Sequence, residues 1–212
     1  MNADLPKVWN TAFTESGESI EVDYLLNDNN LDNRVKVSRA FRYPDGSALP
    51  QHLIPERAYF SQADLTEEYR STMPDWAWIT GGLHLVSEKF RNLATDLDFG
   101  TNGFFEVPLY ENDHKTRRPG RWFLFHIREK KDTLVAEQST GLEQDGVAVG
   151  CWRSQYGEEV LAVKASATTG VDLWVERRMA GRIFLSDWLM SALKAPGMHM
   201  GTLEFRSCLV VP

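Results

Sequence analysis

Few residues in this 212-residue chain have the type and spacing to do chemistry. Ser87 and Ser186 stand in LVSEK and FLSDW, each between a strand-like and a helix-like run, the junction where hydrolases place a nucleophile. Both lack the flanking glycines that let a tight nucleophile elbow form. An acid follows each serine, the pattern of a helix N-cap and a carboxylate favoured by the helix dipole. Both serines are therefore read as structural helix caps. The five histidines, His52, His84, His114, His126 and His199, form no i,i+4 pair and no recognisable metal-ligand spacing with acids. His84 and His126 fall inside apolar runs, which predicts hydrogen-bonded core histidines. Adjacent Glu158 and Glu159 would point to opposite faces of a strand, a poor arrangement for paired acid–base work. Gly81, Gly82 and Gly100 read as turn glycines, not as a phosphate cradle. Cys151 and Cys208 are far apart and read as free buried thiols. The expectation is no catalytic residue, no metal and no cofactor. The competing reading is a small soluble enzyme with an unrecognised histidine/carboxylate site, using His126 or His199 with nearby acids.

The two serines belong to a repeated unit. From Asp172 to Pro212, Leu173-Trp174-Val175 and Ile183-Phe184-Leu185 have strand composition. Trp188, Leu189, Ala192 and Leu193 recur at helical spacing before Pro196-Gly197, and Leu203, Phe205, Leu209 and Val211 supply a returning strand. About a hundred residues earlier the pattern recurs. Ser87 matches Ser186, Glu88 matches Asp187, Phe90 matches Leu189, and Gly103 to Leu109 matches the return around Thr202 to Arg206. Asp75-Trp76 leads into the first copy as Asp172-Leu173-Trp174 leads into the second. Two copies at so long a separation are not a solenoid. They predict an α+β fold: a single compact domain with two similar strand–helix–strand units, at about 75–109 and 172–211, in a core over 71–212. Residues 1–70 are expected as a β-rich N-terminal annex of the same body.

Between and before the units the signals are shorter. Ser19 to Leu25 alternates like a strand, Asn27 to Asn33 is a polar turn region, and Val35 to Phe41 reads as a second strand. Pro50 to Pro55 reads as loop and Leu65 to Tyr69 as a helical turn. Trp122 to Ile127 is too continuously apolar for a one-sided strand and predicts a central strand covered on both faces. Leu134 to Ala136, Val147 to Trp152 and Glu158 to Ala165 are further strand candidates. Trp76, Trp78, Trp122, Trp152, Trp174 and Trp188 lie mostly in apolar context and read as core. An exposed Trp or Tyr near acids would make an interface hot spot.

The net charge of −7 disfavours a nucleic-acid binder, whose affinity comes largely from Lys and Arg on phosphates. It suits a protein that meets a basic partner. The excess is concentrated early, where Glu15, Glu18, Asp23, Asp28 and Asp32 are the candidate partner-binding residues, against the alternative of a solvated face. The start MNADLPKVWN lacks a basic n-region followed by an apolar h-region, and no apolar run reaches membrane-span length, so a cytoplasmic protein without membrane contact is expected.

The order of these pieces resembles immunity protein family eleven of bacterial polymorphic toxin systems. The pattern is an Asp before a glycine-led apolar run ending in Ser-Glu, a helix, a short Phe-containing strand, the aromatic strand RWFLFHI, then IFLSD closing on GTLEF. It covers about residues 70–211; the early end of the second helix at Pro196 and the Phe125-His126 pair depart from it. The resemblance implies a non-enzymatic protein that binds a cognate secreted toxin in a one-to-one complex and neutralises it. It also implies delivery of that toxin by contact-dependent or type VI secretion, with a nuclease acting in the cytosol as the expected target.

Overall fold

The computed structural model describes residues 6–12, 21–43, 45–61, 73–146, 150–154, 159–179, 181–201 and 203–212. In chain order the first strands are β1 (Val8–Ala12), β2 (Val22–Leu25), β3 (Arg57–Phe60), β4 (Trp76–Ile79), β5 (Leu83–Ser87), β6 (Gly103–Glu106), β7 (Leu109–Tyr110) and β8 (Trp122–His126). Then come β9 (Lys130–Lys131), β10 (Leu142–Gln144), β11 (Trp152–Ser154), β12 (Ala162–Lys164), β13 (Leu173–Glu176), β14 (Ile183–Ser186), β15 (Glu204–Ser207) and β16 (Leu209–Val211). Among the described residues the helices are α1 (Leu31–Arg42), α2 (Glu88–Asn92) and α3 (Asp187–Leu193). The fold is α+β.

Two sheets carry the repeated units, and their registers superpose. One has the order β4-β5-β8-β6; the other runs β15-β1-β14-β13-β9. Trp76 pairs with Val86 as Leu173 pairs with Leu185, and Val86 pairs with Phe123 as Leu185 pairs with Trp9. Phe104 then pairs with Phe125 as Phe205 pairs with Thr11. The strand that returns from each helix therefore does not pair with the strand that entered it. A further strand sits between them: β8, from after the first unit, and β1, from ahead of both. The match extends outward, because β7 pairs in parallel with β3 and β16 with β12, and β3 and β12 each have an antiparallel neighbour at β2 and Leu134.

The hydrophobic side chains follow this layering. The inner faces share one core of Trp76, Val86, Phe90, Phe123 and Phe125 from the first half with Leu173, Ile183, Leu185, Leu189 and Leu193 from the second. Each outer face has its own core, one around Tyr24, Val37, Leu83 and Leu124, the other around Leu134, Val163, Trp174 and Phe184. Helices of five and seven residues are too short to persist alone in water. They hold because Phe90 and Leu189 are fully buried, each contributing about 1.5–3 kcal/mol, and because a serine caps each first turn.

Several expected elements differ. The segment Val35 to Phe41 is not a strand but the body of α1. The Asn30 side chain accepts the Asn33 backbone N–H at 2.9 Å, so the polar run read as a turn is a helix cap. The alternation of Val35 with Val37 mimicked a strand, yet the buried side chains are Asn33, Val37 and Phe41, four residues apart, and Val35 is 56% exposed. Within the annex expected over residues 1–70, the described elements divide between the two halves: β1 lies inside the second sheet, and β2, β3 and α1 build the outer core of the first half. Pro50 to Pro55 contains a 3-10 turn at Gln51–Leu53. Leu134 makes only an isolated bridge before a 3-10 turn at Ala136–Gln138, and β12 is shorter than Glu158 to Ala165. In the Val147 to Trp152 candidate only Trp152 is in a strand among the described residues, at the start of β11. Leu65 to Tyr69 lies outside the described residues. By contrast, β8 is buried at all five positions between β5 and β6, as its continuous apolar sequence predicts.

Candidate functional site

The five early acids do not form one patch. Glu15 and Glu18 lie outside the described residues. Asp23, on β2, is bound within the fold: its carboxylate meets the Arg34 guanidinium at 2.6 Å and accepts from the Tyr59 hydroxyl at 3.2 Å. Arg34 in turn covers the Tyr24 ring at 4.5 Å and donates to the Tyr24 carbonyl, which leaves little net charge there. Burial and the neighbouring Asp23 hold the Tyr59 phenol above its ordinary pKa, so it remains a donor at neutral pH. Asp28 accepts from the side-chain amides of Asn30 and Asn33 at 2.9 and 3.3 Å, and so orders the start of α1. Asp32 is exposed in the first turn of the same helix. The structure thus brings Asp28 and Asp32 together at the α1 N-terminus and sets Asp23 apart with Arg34.

The outward face of α1 is mixed. Leu31 is 75% exposed, Val35 56% and Tyr43, at the C-cap, 61%. Lys36, Arg39 and Arg42 are exposed beyond them. One end of the helix is acidic, the other basic, and apolar side chains run between, the composition of a protein–protein contact surface. Sequence reasoning missed Leu31, Val35 and Tyr43 because it took the segment for a strand. The Asn-rich cap and the three cations after Val35 were the available signals. A second exposed aromatic is Trp188 on α3, at 73%, which corrects its reading as core. The neighbouring Asp187 accepts from the Trp9 indole at 2.8 Å.

Ser87 and Ser186 occupy matching hydrogen-bond networks. Each hydroxyl accepts from the third residue of its helix, Phe90 N–H at 3.3 Å and Leu189 N–H at 3.0 Å. Each donates to the Asp at the head of the preceding hairpin, Asp75 at 2.5 Å and Asp172. The second oxygen of each Asp crosses to the other unit. Asp75 accepts the His199 backbone N–H at 2.8 Å, and Asp172 accepts the Asp98 backbone N–H at 2.7 Å. Among the described residues no histidine bonds either hydroxyl, and each Asp is held on its second oxygen by a backbone amide of the other unit, so the networks cap and cross-link.

Two of the histidines, His84 and His126, are held by hydrogen bonds inside the fold. His84 is buried, and its Nδ1 accepts the Trp76 indole N–H at 3.2 Å; burial, with His126 nearby, drops its pKa to about 3. His126 Nε2 lies 3.1 Å from the Ala40 carbonyl, and burial also lowers its pKa. His199 is exposed, and its backbone, not its ring, holds Asp75. Among the described residues no group of three His, Cys, Asp or Glu could hold a metal ion. Cys151 and Cys208 are free thiols, and burial raises Cys208 to about 12. No helix among the described residues is long and apolar enough to cross a membrane.

A family model described as an immunity protein family, Imm11, matches residues 19–209. The chain belongs to that family. The match begins far ahead of residue 70, so it takes in β2, α1 and β3 along with both repeated units. Among curated proteins no match was found.

Proposed function

Proceeding from that membership, we propose that the protein binds a cognate secreted toxin in a one-to-one complex and neutralises it, and that the toxin is a nuclease acting in the cytosol. Family membership implies the toxin. The nuclease reading is supported by charge. A net −7 suits the basic, phosphate-holding surface of a nuclease and accelerates association with it. Asp28 and Asp32, at the exposed start of α1, are the members of the acidic set best placed to meet such a surface, with Glu15, Glu18 and Asp23 as the remaining candidates. The non-enzymatic reading is supported by the caps at Ser87 and Ser186, whose hydroxyls are engaged in structural bonds.

The observation that carries this reading is the match over 19–209, and toxicity rescue tests it. The C-terminal domain of the polypeptide encoded beside this chain is expressed in a naive cytosol with and without it. Rescue with a stable co-purifying complex of equal stoichiometry is expected, and nucleic acid is expected to be degraded in unrescued cells. A toxic neighbour that is not rescued overturns the pairing, and intact nucleic acid in dying cells overturns the nuclease assignment. Replacing the five acids by Ser or Asn should slow association and flatten its salt dependence. Unchanged rates would remove the acidic set from the interface.

A further inference from the structure

A cleft of about 310 Å³ opens where the turns of the two equivalent hairpins meet. The register that relates the halves pairs its walls: Trp78, Gly82 and His84 from β4–β5 correspond to Val175, Gly181 and Ile183 from β13–β14. The symmetry is broken by α1, which adds Phe41, Arg42 and Tyr43 on the first half's side only. Arg42 lies directly over Gly82, where a Cβ would come within 2.6 Å of its Nε, and that nitrogen donates to the Gly81 carbonyl at 3.1 Å. Over the matching Gly181 there is nothing within 4 Å. One side of the junction is filled by the protein itself and the other is left open.

The lining states what fits. Phe41, Tyr43, Trp78, Val175 and Ile183 are apolar or aromatic, and the volume holds one or two large side chains. His84 contributes a single donor, because its Nδ1 is occupied as an acceptor and the proton of the neutral ring is therefore on Nε2. At the lip stand Arg42 and, along a shallow groove shared with Tyr43 and Val35, Arg39. Neither arginine has a carboxylate partner among the described residues. In a chain of net charge −7, an apolar slot with a lip of two arginines and an exposed tyrosine selects for an apolar group next to negative charge.

We propose that this cleft is the anchor pocket of the toxin complex, receiving an apolar side chain from an acidic segment of the toxin. This rests on the immunity reading and adds to it a second contact of opposite charge: the acidic start of α1 steers encounter, and the cleft at its basic end sets how long the complex lasts.

The test uses the full chain and the purified C-terminal domain of the polypeptide encoded beside it, with association and dissociation rates measured separately. Arg42→Glu and Tyr43→Ala alter the exposed lip, and Gly181→Asn puts a side chain into the open half at φ +72°, where Asn is tolerated. Urea unfolding of each variant establishes that it folds; the two lip variants carry the test should Gly181→Asn not fold. Dissociation at least tenfold faster in Arg42→Glu, with a smaller increase in Tyr43→Ala and association within twofold of the parent, is expected. Unchanged dissociation in folded lip variants whose parent binds overturns the pocket and leaves the immunity reading standing. A parent that neither binds nor rescues overturns both.

Discussion

At the closed end of the first hairpin, Ile79 pairs with Leu83, and Phe125 and Phe105 occupy the neighbouring strands. The same positions of the second half hold Glu176, Arg182, Thr11 and Arg206. One half is closed by hydrocarbon, the other by a buried polar network on an equivalent frame. Arg182 donates to Glu159 at 2.9 Å and to the Thr11 carbonyl, and Arg206 reaches the second oxygen of Glu159 at 3.6 Å. Glu176 accepts from the Thr133 backbone at 2.8 Å, the Thr133 hydroxyl at 2.9 Å and the Leu134 backbone at 3.2 Å. The difference follows how each sheet acquires its inserted strand. β8 follows the first unit closely in the chain, whereas Thr11 meets Arg182 across 171 residues. Hydrocarbon contacts are indifferent to small slips, but a two-residue slip of β1 would unmake directional bonds to a buried guanidinium. The network specifies where a sequence-distant strand must lie, at a cost in desolvation that the first half avoids.

The largest way to break this comparison is to remove one charge. Glu159→Gln removes the charge that the Arg182 guanidinium, 3% exposed, meets at 2.9 Å, and should destabilise the protein by about 3–5 kcal/mol in urea unfolding. Making the second half resemble the first sharpens it. Glu159→Leu with Arg182→Leu should recover most of that loss, because a hydrocarbon closure needs no buried charge. A double variant as unstable as the single would show that shape, not charge, holds this corner.

The cross-linking aspartates come next, and here the halves should agree. Asp75→Ala and Asp172→Ala each remove bonds from a serine hydroxyl and from a backbone amide of the opposite unit. Hydrogen bonds to charged groups contribute about 1.5–3 kcal/mol, so each variant should lose on that order and by similar amounts. Hydrogen exchange gives the local reading: Asp172→Ala should speed exchange at the Asp98 amide, and Asp75→Ala at the His199 amide. A loss in one half alone would mean the registers match without the energetics matching.

Which parts could be read from sequence follows from the range of the interactions behind them. The helix starts at Ser87 and Ser186 and the buried strand β8 were legible, because caps and continuous apolar runs are written in adjacent residues. The placement of β1 was not. Val8 to Ala12 gives no local sign that it belongs between β14 and β15, strands from the far end of the chain. The α1 helix was misjudged because its buried residues satisfy period four while Val35, Val37 and Phe41 also alternate; only the outer core decides between the two. Of the acidic set, charge alone could not reveal that Asp23 is held by Arg34 while Asp32 stands clear. The cleft was invisible for a similar reason, since its walls come from α1, two hairpins and Ile127.

The smallest effect per step is a pH dependence that only the first half should show. His84 sits where the second half has Ile183, inside the inner layer beside Trp76. Its folded pKa of about 3 lies below the ordinary 6.5, so on acidification the unfolded chain takes up a proton that the native state excludes. The contribution is complete above pH 6.5 and declines by about 1.4 kcal/mol per pH unit below it, continuing until about pH 3. His126, lowered in the same direction by burial, adds to the slope. Urea unfolding at pH 7.5, 6.5 and 5.5 should show stability flat over the first step and falling over the second. His84→Asn keeps an acceptor for the Trp76 indole while removing the titration, so it should reduce the fall to the part owed to His126. An undiminished fall in that variant would place the acid sensitivity outside the first hairpin, and His84 would then differ from Ile183 only in the donor it gives the cleft.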